Sequence, residues 1–127
     1  MKYLLDTHVL LWFDVDDPRL SKNARLLMEA DDSEIILSTA SVWEIAIKVS
    51  AGGLTLPEPV LAYFEGRTKR GLQILPIEWP HAAKVAELPF HHRDPFDRLI
   101  AAQALVEKLP LLSRDPIFKS YGVKLIW

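Results

Sequence analysis

DPFDRLIAAQALVEK, residues 94–108, is the stretch on which the fold turns. From Leu99 to Val106 only Gln103 interrupts the apolar residues, so a helix here has no polar face for solvent. Such a helix belongs inside a fold, covered on several sides. Its start is written locally. Asp94 is a favoured N-cap, and Pro95 stands at the position where proline suits the first helical residue. Asp97 falls three places after the cap, where a carboxylate can accept from free backbone N–H groups and meet the positive helix end. Gln103, a polar group at a core position, is expected to have a hydrogen-bonding partner.

The segments on either side show what could cover such a helix. MKYLL, EIILS and LPLLS are short apolar runs ending at polar residues, and each reads as a buried strand. SKNARLLMEA (21–30) carries Ala24, Leu27 and Met28 on one helical face, and SVWEIAIKVSAG (41–52) starts at Ser41 and stops at a glycine pair. PEPVLAYFEGRTKR and PHAAKVAEL read as further helices, DPIFKSY as a helical turn and VKLIW as a last strand. LQILPI reads as a strand, and Pro76 points to an edge position or a strand end. Apolar strands alternating with helices predict a parallel α/β sheet covered on both faces.

The chain has 127 residues, which fits one domain spanning 1–127. Half of the residues are hydrophobic and a quarter are charged, as in ordinary globular proteins. With no cysteine, disulfides and thiolate metal sites are excluded, and a cytoplasmic location is the expectation. MKYLLDTHVLLWF is broken by Asp6 and His8 and does not read as a signal peptide; no run is long enough to span a membrane. The net charge of −2 argues against a high-affinity, sequence-independent nucleic-acid coat. It leaves room for an enzyme whose acidic site recruits cations.

The acids recur at one kind of place. Asp6 ends the first strand, Glu44 opens the helix after the second, Asp97 opens the apolar helix, and Asp115 follows LPLLS. In a parallel sheet these points gather along one rim, where ligands of such sheets bind. Each acid also has a purely structural explanation: Ser41 and Glu44 match a capping box, Asp115–Pro116 repeats the cap-plus-proline signal, and Asp6 could cap the helix from Thr7. Jointly the caps explain less, because carboxylates crowded together repel. A divalent cation relieves that repulsion, and all-oxygen carboxylate sites suit Mg²⁺ or Mn²⁺. Ions so held can activate water against a phosphodiester.

LLDTHVLLW, STASVWEIAIK, HRDPFDRLIAAQA and LLSRDPIF, in this order and at this length, resemble the PIN-domain ribonucleases, in particular the VapC-type toxins of toxin–antitoxin modules. The resemblance covers essentially the whole chain. It implies a three-layer α/β/α sandwich with a short, mainly parallel sheet, and a Mg²⁺- or Mn²⁺-dependent endoribonuclease. By motif match Asp6, Glu44, Asp97 and Asp115 take the four acidic positions that are both catalytic and metal-holding. Thr7, Asp94 and Ser113 support them, Asp94 as cap or outer partner and the hydroxyls by orienting a carboxylate or water. The resemblance further implies an RNA substrate, a cognate antitoxin whose arginine could neutralise the acids, and a homodimer.

Other residues carry less. His8, His81, His91 and His92 lack metalloprotease spacing, and HH before Arg93 reads as a solvated turn. Arg93, Arg98, Arg114 and Lys48 could contact RNA, but pairing with a neighbouring carboxylate or lying in solvent is the simpler expectation. RTKR (67–70) suits a helix C-terminus as well as it suits RNA. The four tryptophans are expected in packing rather than base stacking. A receiver-type phosphotransfer switch is disfavoured because Glu44 and Asp97 fall on helices. An aspartyl phosphatase wants an acid where His8 stands. Two alternatives stay open: a housekeeping PIN-type nuclease, and a non-catalytic binding module whose acids are caps and partner contacts.

Overall fold

The computed structural model describes residues 1–91 and 93–127. Strand β1 (Lys2–Leu5) is central in a five-stranded sheet. It is flanked by β2 (Glu34–Ser38) and β4 (Leu111–Leu112), with β3 (Gln73–Leu75) and β5 (Leu125–Ile126) at the edges. Every pairing is parallel. The helices are α1 (Thr7–Asp14), α2 (Lys22–Glu29), α3 (Thr39–Ser50), α4 (Val60–Lys69), α5 (Trp79–Lys84) and α6 (Pro95–Glu107), with 3-10 turns at Val85–Glu87 and Pro116–Tyr121. No helix among the described residues is long and apolar enough to cross a membrane.

Two cores account for the absence of polar alternation in the strands. Leu4, Ile36 and Leu111 pack against Ile100, Ala101 and Ala104 of α6 and against Phe118. Tyr3, Leu5, Leu37 and Leu112 face the other way, against Val9 and Leu10 of α1, Ala24 of α2 and Tyr63 and Phe64 of α4. Successive residues of a strand point to opposite faces, so the sheet is the middle layer of three, as expected. Leu4, Leu5, Leu37, Leu111 and Leu112 are wholly buried, and each contributes roughly 1.5–3 kcal/mol.

Helix α6 forms as its sequence predicts. The Asp94 carboxylate accepts from the N–H groups of Phe96 (2.9 Å) and Asp97 (3.3 Å). The partner of Gln103 is now identified: its Nε2 donates to the Pro76 carbonyl at 3.3 Å and lies 3.5 Å from His81 Nδ1. That bond fastens α6 to the chain leaving β3. The buried His81 ring also accepts from the Glu78 N–H and meets Glu107 through Nε2 at 2.8 Å, so it is a structural residue.

The start of α3 corrects the sequence reading. STAS holds two serines able to cap, and the earlier one does: Ser38 Oγ accepts from the Ala40 N–H at 2.9 Å. The helix begins at Thr39, so Ser41 lies inside its first turn and Glu44 in its second. The Ser41–Glu44 capping box therefore does not form. Strand β2 runs to Ser38 in register with β3, and a helix after it must turn immediately.

Candidate active site at the centre of the sheet

From β1 the chain builds the sheet first to one side, through β2 and β3, and then to the other, through β4 and β5. The carboxyl ends of β1 and β4 thus flank the point where strand order reverses, the usual place for a ligand crevice in open parallel sheets. Asp6 leaves β1 there. Its N–H donates to the Leu112 carbonyl at 3.0 Å, and Ser113 Oγ, just past β4, donates to its Oδ2 at 2.8 Å. Asp6 makes no capping bond to α1, so the cap explanation fails for it. Burial pushes its carboxyl above the usual carboxylate range; the Ser113 hydroxyl and His8 pull it down, and the negative charge of Glu44 adds to the rise. A dry, negatively charged oxygen pair beside a second acid is a place for a cation.

Asp97, in the first turn of α6, and Asp115, ahead of the turn at Pro116–Tyr121, line the same cavity of about 330 Å³ as Asp6. Asp115 also caps its turn, accepting from the Ile117 N–H at 3.0 Å, while its own N–H donates to Ser113 Oγ at 3.1 Å. One serine hydroxyl therefore links two acidic segments.

Glu44 is a buried residue of α3 whose charge reaches Asp6, with Oε2 at 3.1 Å from Lys48 Nζ and Oε1 without a hydrogen-bond partner among the described residues. It borders a neighbouring cavity with Arg93 and Asp94. The four acids thus border two cavities, with Glu44 close enough for its charge to act on Asp6. Among the described residues no three His, Asp or Glu side chains form a ready-made metal cage. Magnesium does not require one: it is commonly held by one or two carboxylates, with waters and substrate phosphate completing its shell. The buried Asp6 carboxyl and the orphaned Glu44 oxygen fit such an ion.

Two site residues were not picked out from the sequence. His8 lines the cavity with its Nδ1 3.9 Å from Asp6 Oδ1, and Trp12, one helical turn on, forms the adjoining wall. The i,i+4 spacing of His8 and Trp12, which puts both rings on one face of the helix that opens at Asp6, was the available signal. Thr7, expected to support a carboxylate, instead donates to Ser41 Oγ at 2.7 Å and ties α1 to α3. Arg98 is buried rather than open to a polyanion, and no carboxylate pairs with it among the described residues. Only 8% exposed, it donates to the carbonyls of Pro89 (2.9 Å) and Val85 (3.2 Å) and lies over the Phe90 ring. Arg114 is exposed at the cavity with its guanidinium 5.2 Å from the Trp12 ring centre, and Arg93 is exposed.

Within RTKR, Arg67 is paired with Asp14 at 2.9 Å. His91 is exposed near the Tyr121 ring, and His92 lies outside the described residues. For the tryptophans the alternatives are core or interface packing, and Trp43 and Trp79, exposed at 60% and 82%, are not core residues, although Trp43 meets Phe96 edge-on.

The sequence model of the PIN domain matches residues 3–124. The chain belongs to the PIN-domain family. Ribonuclease VapC22 of Mycobacterium tuberculosis is 30% identical over 119 residues, covering 93% of this chain and 90% of that protein. Ribonuclease VapC16 of the same organism is 38% identical over 71 residues, covering 52% and 50%. Among solved structures, VapBC2 from Rickettsia felis bound to a promoter DNA fragment aligns with a TM-score of 0.74 at 21% identity, over 99% of this PIN domain and 98% of that chain. VapBC-1 from nontypeable Haemophilus influenzae gives 0.70 at 16%, over 99% and 97%. At those identities the two structures establish the shared fold.

Proposed function

We propose that this PIN domain is a metal-dependent endoribonuclease, the toxin of a toxin–antitoxin pair, which hydrolyses RNA phosphodiester bonds with activated water. The observation that carries this is the buried Asp6 carboxylate, fixed by Ser113 in a cavity that Asp97 and Asp115 also line. Helix capping accounts for Asp94 and Asp115. It leaves unexplained the burial of Asp6, whose charged form is disfavoured without a cation, and the second oxygen of Glu44, which has no hydrogen-bond partner among the described residues.

Asp6 and Asp97 would hold Mg²⁺ or Mn²⁺, with Asp115 and Glu44 as further acids in reach of its field. Such an ion, when bound, supplies positive charge against the phosphate and lowers the pKa of a water. Around it, Ser113 keeps the Asp6 oxygens at one orientation, and the cap at Ile117 keeps Asp115 facing the cavity. Arg114 and Arg93, both exposed, are placed to meet phosphate oxygens of the flanking nucleotides. A cognate antitoxin is supported by the likeness to toxin–antitoxin complexes, and an arginine from it would neutralise these acids in place of metal. A homodimer in the cytoplasm completes the reading.

Asp97→Asn tests it. The variant keeps the side-chain shape, so its circular dichroism and melting curve should match those of the parent, while magnesium-dependent RNA cleavage should fall by ~100-fold or more. Unchanged cleavage by a folded variant refutes the assignment.

A further inference from the structure

Beside the acid cavity lies a second one, of about 340 Å³, sharing His8 and Trp12 with it. That volume is at the lower end of small-molecule sites. The two cavities differ in chemistry. The acid cavity is polar and anionic. The second is walled by Leu11, Leu54, Leu56 and Pro57, and its charged residues are paired among themselves. Asp17 takes Arg19 through Nε (3.0 Å) and Nη2 (2.8 Å), and Asp14 takes Arg67 at 2.9 Å. The second cavity thus presents apolar walls and no net charge.

Trp12 lines both cavities. The guanidinium of Arg114, which lines only the acid cavity, sits 5.2 Å from its ring centre, and that of Arg19, which lines only the second, sits 4.9 Å away. A charged chamber and a neutral one that share a single indole repeat the alternation of phosphate and base along a polynucleotide.

We propose that the second cavity receives the nucleobase next to the cleaved phosphate, and that Arg19 reads its edge. The proposal rests on the nuclease function proposed above. Asp17 engages the Nε–Nη2 side of the guanidinium, which orients the Nη1–Nη2 end as a two-donor fork. Such a fork matches paired acceptors on one edge of a base, as on guanine O6 and N7 or cytosine O2 and N3, and not the mixed edges of adenine and uracil. His8 and Trp12 supply ring surface where the base enters.

The experiment maps cleavage sites on a random-sequence RNA pool with magnesium, for the parent, Arg19→Gln and Thr55→Trp. Both substituted residues are exposed, and the second fills the cavity. The parent should favour guanine or cytosine over adenine and uracil beside the cut by about tenfold, and both variants should reduce that ratio towards one while keeping the parent melting curve. Cleavage by the parent with no base preference, or a preference both folded variants retain, overturns the proposal and leaves the nuclease function standing. Absence of magnesium-dependent cleavage by the parent on any RNA overturns the function itself. If Thr55→Trp keeps the base ratio but escapes inhibition by the co-expressed product of the neighbouring reading frame, the cavity seats a peptide and the base proposal falls.

Discussion

A carboxylate dried out at the end of a central strand opposes folding unless it is neutralised, and Asp6 is in that position. Its folded pKa lies above the ordinary value. Below the ordinary value it is protonated folded or unfolded and costs nothing. As pH rises through the window up to the raised pKa, a stability penalty develops, and it is complete above that window. Metal-free Asp6→Asn, which can still accept from Ser113, should therefore melt higher than the parent at neutral pH and no higher under acid conditions; scanning calorimetry at two pH values checks this. Ser113→Ala removes the hydroxyl that lowers the Asp6 pKa, so the acid limb of the cleavage pH profile should move to higher pH.

Asp6 was legible because a polar residue closes an apolar strand. Its bond to Ser113 was not, since the two are 107 positions apart. Arg98 was misread for a similar reason: its partners are carbonyls of a preceding segment, which no side-chain pattern announces.

At the scale of elements, caps set where side chains point. Ser38→Ala should cost about 1 kcal/mol and lower the melting temperature by roughly 3–5 °C. Asp94→Asn keeps an acceptor for the N–H groups of Phe96 and Asp97, so melting and cleavage should both survive it. Loss of cleavage with an intact melt would make Asp94 a metal contact. Helix α6 could be read in advance because its cap, proline and apolar content agree. The start of α3 could not, because two serines three residues apart satisfy the same rule and the strand before them decides. That earlier start places Glu44 in the second turn of α3 rather than the first.

Across the whole molecule, the parallel sheet followed from the alternation of apolar strands with helices, and the meeting of Asp6, Asp97 and Asp115 followed from the sheet. The second cavity did not, since its walls come from α1, α4 and the segment between α3 and α4. The net charge of −2 and the few cations near the acids predict weak electrostatic attraction to RNA. Arg93, Arg114 and Lys48, at roughly 0.7 per single-strand phosphate contact, set a log–log salt slope no steeper than about −2. A slope near −5 would require a basic track elsewhere.

The bond between Asp6 and Ser113 joins the middle strand of the sheet to a residue 107 positions further along the chain. Without β4 in place, Asp6 has neither its hydroxyl nor the strand that closes the crevice beside it. A fragment that stops short of β4 would thus carry the acid but no blade, because the cutting edge belongs to the assembled sheet and to no single segment.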